Sequence, residues 1–165
     1  MPLRDEPPPV TIEISDAQVH LTIDHQTLRD LARRVLEGEG VAEASISIAL
    51  VDDAAIHAIN RRHLGHDWPT DVITFRLADE PHLEAELVVS AEMAAATARE
   101  AGTEPSAELA LYVVHGLLHL CGYDDHTVDD ATAMRGREDA VLRREGWANT
   151  FSSVKLGMEV EPCPA

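Results

Sequence analysis

The stretch LALYVVHGLLHLCG, Leu109 to Gly122, holds two histidines inside a run of apolar residues at helical spacing. Apolar side chains fall on nearly every face of this segment, so it predicts a helix that is largely buried. Gly122 predicts the end of the helix, because a residue without Cβ can take the left-handed backbone conformation found at that position. A buried helix needs other layers of structure to cover it, and the rest of the chain supplies them.

Short segments that alternate apolar and polar residues predict strands with one buried face. These segments are residues 10–14, 19–23 and 45–51, and residues 71–75 and 86–90 are two more strand candidates. Further helices are predicted where apolar residues at helical spacing follow a capping residue and precede a glycine. They lie between Asp24 and Gly38, after Asp52 and Asp53, between Ser90 and Gly102, and from about Val128 to Glu145, where Thr127 and Asp130 have the spacing of a capping box. We therefore expect an α+β fold, with helices packed on one mixed sheet of four or five strands and a metal site at the end of the buried helix.

The length of 165 residues fits one domain with a real core. Three consecutive prolines mark residues 1–9 as a disordered lead-in, and residues 148–165 are expected to form a loose C-terminal tail. Residues 10–147 then make up the domain. No apolar run reaches the roughly 18 residues of a membrane span, and the start lacks a signal peptide, so we expect a cytoplasmic protein without membrane contact.

The charge balance restricts the partners that the chain can bind directly. The formal net charge is −17, so the mean field of the protein repels phosphate backbones. Binding to nucleic acid would need a local basic patch or a protein partner.

The two histidines of the buried helix predict a metal site. His115 and His119 are four residues apart, so both project from one face, where two imidazoles can hold one ion. The chain turns directly after Gly122, and the turn from Asp124 to His126 can return a third ligand while a fourth position stays open for water. The spacing also resembles the H-E-x-x-H of zinc proteases, but Gly116 stands where that mechanism needs its glutamate.

Three motifs together resemble the YbeY family of metal-dependent, single-strand-specific endoribonucleases. They are HGLLHLCGYDDH at 115–126, INRRHLGHDWPTDVITF at 59–75 and AELVVSAEMAAATARE at 85–100. The resemblance spans roughly residues 45–145. It implies an α+β fold, one bound Zn²⁺ per chain, cleavage of ribosomal RNA precursors including the 3′ end of the small-subunit RNA, and a part in ribosome quality control. Its expected partners are therefore precursor ribosomal RNA and the small ribosomal subunit.

Two departures from the family pattern bear on function. The third histidine ligand of the family falls on Asp125, and a histidine follows one place later at His126. Both residue types bind zinc. The third ligand is therefore either Asp125, which occupies the aligned position, or His126, which has the residue type of the usual ligand. Leu64 stands in place of a family arginine, and Arg61, Arg62 and His66 are candidates to supply the positive charge for RNA instead.

A different function also fits these departures. The acidic surface and the missing arginine would suit a non-catalytic ribosome-assembly factor, recruited through basic ribosomal proteins, whose metal is structural. A closed shell that includes both Asp125 and His126 would favour this alternative, whereas a shell with an open position would favour the enzyme.

Overall fold

A computed structural model of the chain describes residues 9–79 and 82–147. The strands are β1 (Val10–Asp16), β2 (Ala44–Val51), β3 (Val72–Ala78) and β4 (Leu83–Ser90). The helices are α1 (His25–Gly38), α2 (Asp53–Leu64), α3 (Ala91–Ala101), α4 (Pro105–Leu120) and α5 (Val128–Arg144). The predicted C-terminal tail and all but the last residue of the predicted lead-in lie outside the described residues, and the division into lead-in, domain and tail stays a prediction.

The four strands form one mixed sheet in the order β1-β2-β4-β3. The strands β1, β2 and β4 run parallel, and β3 pairs antiparallel with β4. This confirms the predicted α+β fold, in which a helix follows each of the three parallel strands and carries the chain onward. The antiparallel edge strand β3 lies next to the loop that leaves α2.

Helices cover the two faces of the sheet unequally. The larger core joins α1, α4 and α5 to one face, and α4 contributes the most buried residues, including Leu117 and Leu118 with no exposed surface. On the other face, Ile56 of α2 packs with Ile73 and Val88 in a smaller cluster. The helix that carries both histidines is thus as buried as its sequence predicts, and its position relative to the sheet is fixed.

Four helices begin with the predicted side-chain caps. In each, the capping side chain accepts a hydrogen bond from the backbone N–H three residues later, which satisfies one of the unpaired donors of the first turn. The pairs are Asp24 with Thr27, Asp52 with Ala55, Ser90 with Met93, and Thr127 with Asp130. Helix α4 instead begins with Pro105 at its first position, where the missing N–H costs no helical hydrogen bond.

The strand predicted at residues 19–23 is wrong. This segment is an irregular connection from β1 to α1, and Val19 is 95 % exposed. The side chain of Gln18 accepts hydrogen bonds from the backbone N–H groups of His20 and Leu21 and so replaces a strand partner. Leu21 and Ile23 still pack against the larger core, and their burial accounts for the alternation that suggested a strand.

Candidate metal centre

The two histidines of α4 face each other across a short gap. Their Nε2 atoms are 3.1 Å apart, with ring centroids separated by 4.6 Å and ring planes nearly perpendicular. In a tetrahedral zinc shell with Zn–N bonds of about 2.0–2.1 Å, two ligand nitrogens lie about 3.3–3.4 Å apart. The spacing of these atoms on the helix therefore suits a shared ion.

Each imidazole is oriented through its other nitrogen. The Nδ1 atom of His119 lies 3.1 Å from the carbonyl oxygen of Tyr123, and a carbonyl can only accept, so this nitrogen carries the proton. The Nδ1 atom of His115 lies 2.8 Å from Oε1 of Glu138, a buried residue of α5, and the same reasoning applies. When both rings are neutral, their Nε2 atoms then present lone pairs to the gap between them, which is how histidines are held in metal sites.

Asp125 supplies a carboxylate to the same gap. Its Oδ2 atom lies 3.8 Å from Nε2 of His115 and 3.6 Å from Nε2 of His119. The side chain is 4 % exposed, and both of its oxygens are buried without a hydrogen-bond partner among the described residues. The turn after α4 brings it there: the N–H groups of Gly122 and Tyr123 donate to the carbonyl oxygens of His119 and Leu118.

The structure does not bring His126 to the histidine pair. Its side chain is 54 % exposed, and its Nε2 lies 3.1 Å from Oδ1 of Asp124. Together with Asp124 and Asp125 it forms a second, more exposed group of candidate ligand atoms. Of the two alternatives for the third ligand, the geometry supports Asp125.

The charges around the pair favour one positive charge in the gap and disfavour two. Burial opposes protonation of His115, but the hydrogen bond and the charge of Glu138 outweigh it and raise the pKa of His115. Burial and the neighbouring His115 lower the pKa of His119. The negative charges of Asp71 and Asp125 also raise the pKa of His115, so carboxylates lie near it from the sheet side and from the turn.

These residues fit a divalent cation. Two imidazole nitrogens 3.1 Å apart need a proton or a metal cation between them, and a buried carboxylate without a hydrogen bond is costly unless a positive charge lies close to it. No fourth His, Cys, Asp or Glu within residues 9–79 and 82–147 joins the group of His115, His119 and Asp125. Two histidines and one carboxylate are a set found in catalytic zinc sites, which keep one position for water or substrate.

Glu138 is a site residue that the sequence analysis missed. It lies on the apolar stripe of α5 with Met134, Val141 and Leu142, all of them buried. A carboxylate on the buried stripe of a helix needs a partner, because burying it unpaired is costly. A glutamate at an apolar position of the α5 pattern could therefore have predicted a buried partner. That partner is His115.

The residues predicted to bind RNA lie at the end of α2 and in the loop that follows. Arg61 and Arg62 are exposed in the last turn of the helix, and His66 stacks on Trp68 in the loop. Leu64, which replaces the family arginine, packs with the smaller core instead. The loop leads through Asp71 into β3, whose Thr74 faces Gly116 beside His115.

Comparison with known proteins agrees with the fold and the motifs. The family description Endoribonuclease YbeY matches residues 13–146. A protein of Rhodopirellula baltica named Endoribonuclease YbeY is 46% identical over 111 residues, which cover 66% of this chain and 57% of that protein. A protein of Syntrophotalea carbinolica with the same name is 37% identical over 141 residues, covering 81% of this chain and 94% of that one.

A solved structure shows the same fold. The solution structure of a protein from Thermotoga maritima superposes with a TM-score of 0.59 over 90% of this chain and 100% of that one, at 24% sequence identity.

Within the described ranges, no helix combines the length and the apolar character needed to cross a membrane.

Proposed function

This chain belongs to the YbeY endoribonuclease family, and from that premise we propose that it is a zinc-dependent, single-strand-specific endoribonuclease of the cytoplasm. Its proposed role is maturation of ribosomal RNA, including the 3′ end of the small-subunit RNA, and quality control of ribosomes. The proposed partners are precursor ribosomal RNA and the small ribosomal subunit, with basic ribosomal proteins as further contacts for so acidic a chain.

One observation carries the proposal: His115, His119 and Asp125 converge with lone pairs and a buried, unpartnered carboxylate facing one gap. The family name says that its members cut RNA, and this gap is the more buried of the two groups of candidate ligand atoms among the described residues. When bound, the ion would supply Lewis-acid chemistry at a phosphodiester. Glu138 and the carbonyl of Tyr123 fix the ring orientations, so the ligands need little reorganisation.

The residues of the centre also limit what acid–base chemistry the chain itself can perform. Gly116 offers no side chain, and Glu138 is engaged with His115. Asp71 precedes β3, and its negative charge raises the pKa of His115, so this carboxylate lies near the two histidines on the side of the sheet. The arrangement supports hydrolysis that depends mainly on the ion, and it lacks the glutamate beside the first histidine that zinc proteases use.

The alternative of a structural metal in a non-catalytic assembly factor receives less support. That function calls for a closed shell with four protein ligands. His126, the candidate for the fourth, is exposed and bonds Asp124.

A cleavage assay tests the proposed function. Purified protein with one equivalent of Zn²⁺ should cut a 5′-labelled single-stranded RNA and leave the same strand intact when it is annealed to its complement. A chelator should stop cleavage, and added Zn²⁺ should restore it. A preparation that carries zinc but cuts no RNA would support the assembly-factor alternative.

The third ligand is tested by matched substitutions in the turn. Asp125→Asn keeps the side-chain shape but removes the charge. Zinc affinity should fall by at least about 10- to 100-fold, which is the usual loss when a residue that only orients a metal ligand is removed. His126→Asn, one position later and exposed, should leave affinity unchanged. Competition with a chromogenic chelator measures both, and the opposite pattern would assign the ligand to His126.

A further inference from the structure

An exposed aromatic side chain lies in the loop between α2 and β3. It belongs to Trp68, which is 42 % exposed and is the aromatic residue among the large apolar side chains that are exposed in the described part of the chain. Aromatic residues are only 4% of the chain, and the other exposed apolar residues are Val19, Leu77 and Val128. The flat face of an exposed indole is a good contact surface for another ring.

Trp68 is held in place by its neighbours. The His66 ring stacks on it with centroids 4.8 Å apart and an angle of 11° between the planes. The side chain of Asn60, which is 2 % exposed, donates a hydrogen bond of 2.9 Å to the backbone carbonyl of Trp68. On the other side of the loop, Asp67 bonds His57 at 2.9 Å. A ring fixed in this way loses little conformational entropy when a second ring stacks on it.

Positive charge lies at the end of the helix from which this loop leaves. Arg61 and Arg62 are exposed in the last turn of α2, and neither forms a hydrogen bond or an ion pair with any residue that the structure describes. On a chain of net charge −17, these two adjacent, exposed arginines form a local patch of positive charge. Guanidinium groups next to an aromatic face suit a phosphate backbone whose bases are free to stack.

The stack is connected to the metal centre through β3. The loop runs from Trp68 to Asp71, whose backbone carbonyl accepts a hydrogen bond of 2.8 Å from the N–H of Ser90 at the end of β4. Three residues further on, Thr74 lies against Gly116, the neighbour of His115 in α4. A nucleic-acid strand that reaches the metal centre across this edge of the sheet would pass the exposed indole.

We propose that Trp68, stacked on His66, binds an unpaired base of single-stranded RNA, while Arg61 and Arg62 bind flanking phosphates. The proposal rests on the function proposed above and names a subsite for its substrate. Only an unpaired base can offer its face to the indole, because in a duplex both faces of a base are covered by its neighbours. The subsite therefore selects single strands, and it works without an arginine at Leu64.

The fluorescence of Trp68 gives a direct test. The chain has two tryptophans, so Trp147→Phe leaves Trp68 as the reporter. In chelator, where no cleavage is expected, a ten-nucleotide oligoadenylate should quench this fluorescence saturably. An abasic strand of the same length should bind through its phosphates without quenching. Absence of quenching by the oligoadenylate overturns the proposal, as does a change of fluorescence on dilution of the protein alone, which would assign the surface to a second copy of the chain.

A second set of variants in the otherwise unchanged protein tests the same subsite by affinity. Trp68→Ala should weaken binding of a labelled oligoadenylate by about tenfold or more, and Trp68→Phe should retain most of it. The abasic strand should bind both variants like the parent. The double variant Arg61→Ala, Arg62→Ala should weaken the binding of both strands. It should also reduce the magnitude of the slope of log affinity against log salt concentration by about 1.4. Equal binding of oligoadenylate by Trp68→Ala and the parent would overturn the proposal.

The two proposals fail in distinguishable ways. If the parent cuts RNA but Trp68 is not quenched, the stacking subsite is wrong and the nuclease stands. If Trp68 is quenched but zinc-loaded protein cuts nothing, the subsite stands and the nuclease is wrong.

Discussion

The double variant His115→Ala, His119→Ala should lose its bound zinc, and its cleavage of single-stranded RNA should fall by more than about 100-fold. Loss of a group that merely orients a metal ligand costs 10- to 100-fold, and this variant removes two of the three ligands themselves. Metal analysis of the purified protein and initial cleavage rates measure the two effects. Both should be lost together, because one gap is proposed to serve both.

A matched control separates the centre from histidine content in general. His126→Ala removes an exposed histidine of the same turn and should leave zinc content and cleavage unchanged. The double variant should remain folded, since the buried leucines of α4 hold the helix on the sheet. Cleavage at the parental rate by a folded double variant would place the activity elsewhere.

Gly116→Ala should destabilise the protein, although alanine is the better helix former. A Cβ at this position would lie 2.9 Å from Cδ2 of Leu87 and 3.2 Å from Oγ1 of Thr74. Leu87 is fully buried and cannot move aside cheaply. Overpacking of this kind costs about 1–3 kcal/mol, which outweighs the gain of at most about 1 kcal/mol in helix propensity. Thermal unfolding should therefore occur about 2–8 °C lower.

Gly136→Ala is the matched control for this substitution. Gly136 lies in α5, and a Cβ there would meet nothing within 4 Å. Only the gain in helix propensity remains, so this variant should be more stable than the parent by about 0.5–1 kcal/mol. The two variants make the same chemical change, so opposite shifts of the unfolding temperature isolate the packing of α4 on the sheet. A Gly116→Ala protein at least as stable as the parent would contradict this account.

The same contact explains why the protease resemblance fails on this fold. A glutamate at position 116 would have to occupy the space of Leu87 and Thr74. The sequence showed that the glutamate is missing. The packing adds that the position has no room for it.

Local sequence signals predicted most of the fold. Caps such as Asp24 and Ser90 form hydrogen bonds within four residues, so their effect does not depend on the rest of the chain. The histidine pair was predictable for the same reason, because one turn of helix sets its spacing. The false strand at residues 19–23 arose because Leu21 and Ile23, in an irregular segment, are partly buried against the core. Alternation of apolar and polar residues alone does not distinguish such a segment from a strand.

The remaining part of the site depends on contacts between distant segments. Glu138 reaches His115 because α5 packs against α4, and no short-range pattern encodes that approach. The choice between Asp125 and His126 depends on the conformation of the turn, since neighbouring residues differ little in position but point in different directions. Trp68 and His66 form a stack because Asn60 and Asp67 fix the loop, which needs the folded end of α2.

On the proposed function, the buried carboxylate of Asp125, which has no hydrogen-bond partner among the described residues, also ties the lifetime of the protein to the supply of the ion. An ion that binds only the native state raises its stability by about 2.7 kcal/mol when its free concentration is 100 times the dissociation constant. Without that ion, the carboxylate of Asp125 stays buried with no hydrogen bond, and only the imidazoles 3.6–3.8 Å away offset its charge. A larger fraction of the chain then unfolds at equilibrium. A change of 1–2 kcal/mol alters cellular abundance several-fold through proteolysis, so metal starvation would remove the protein as well as its activity.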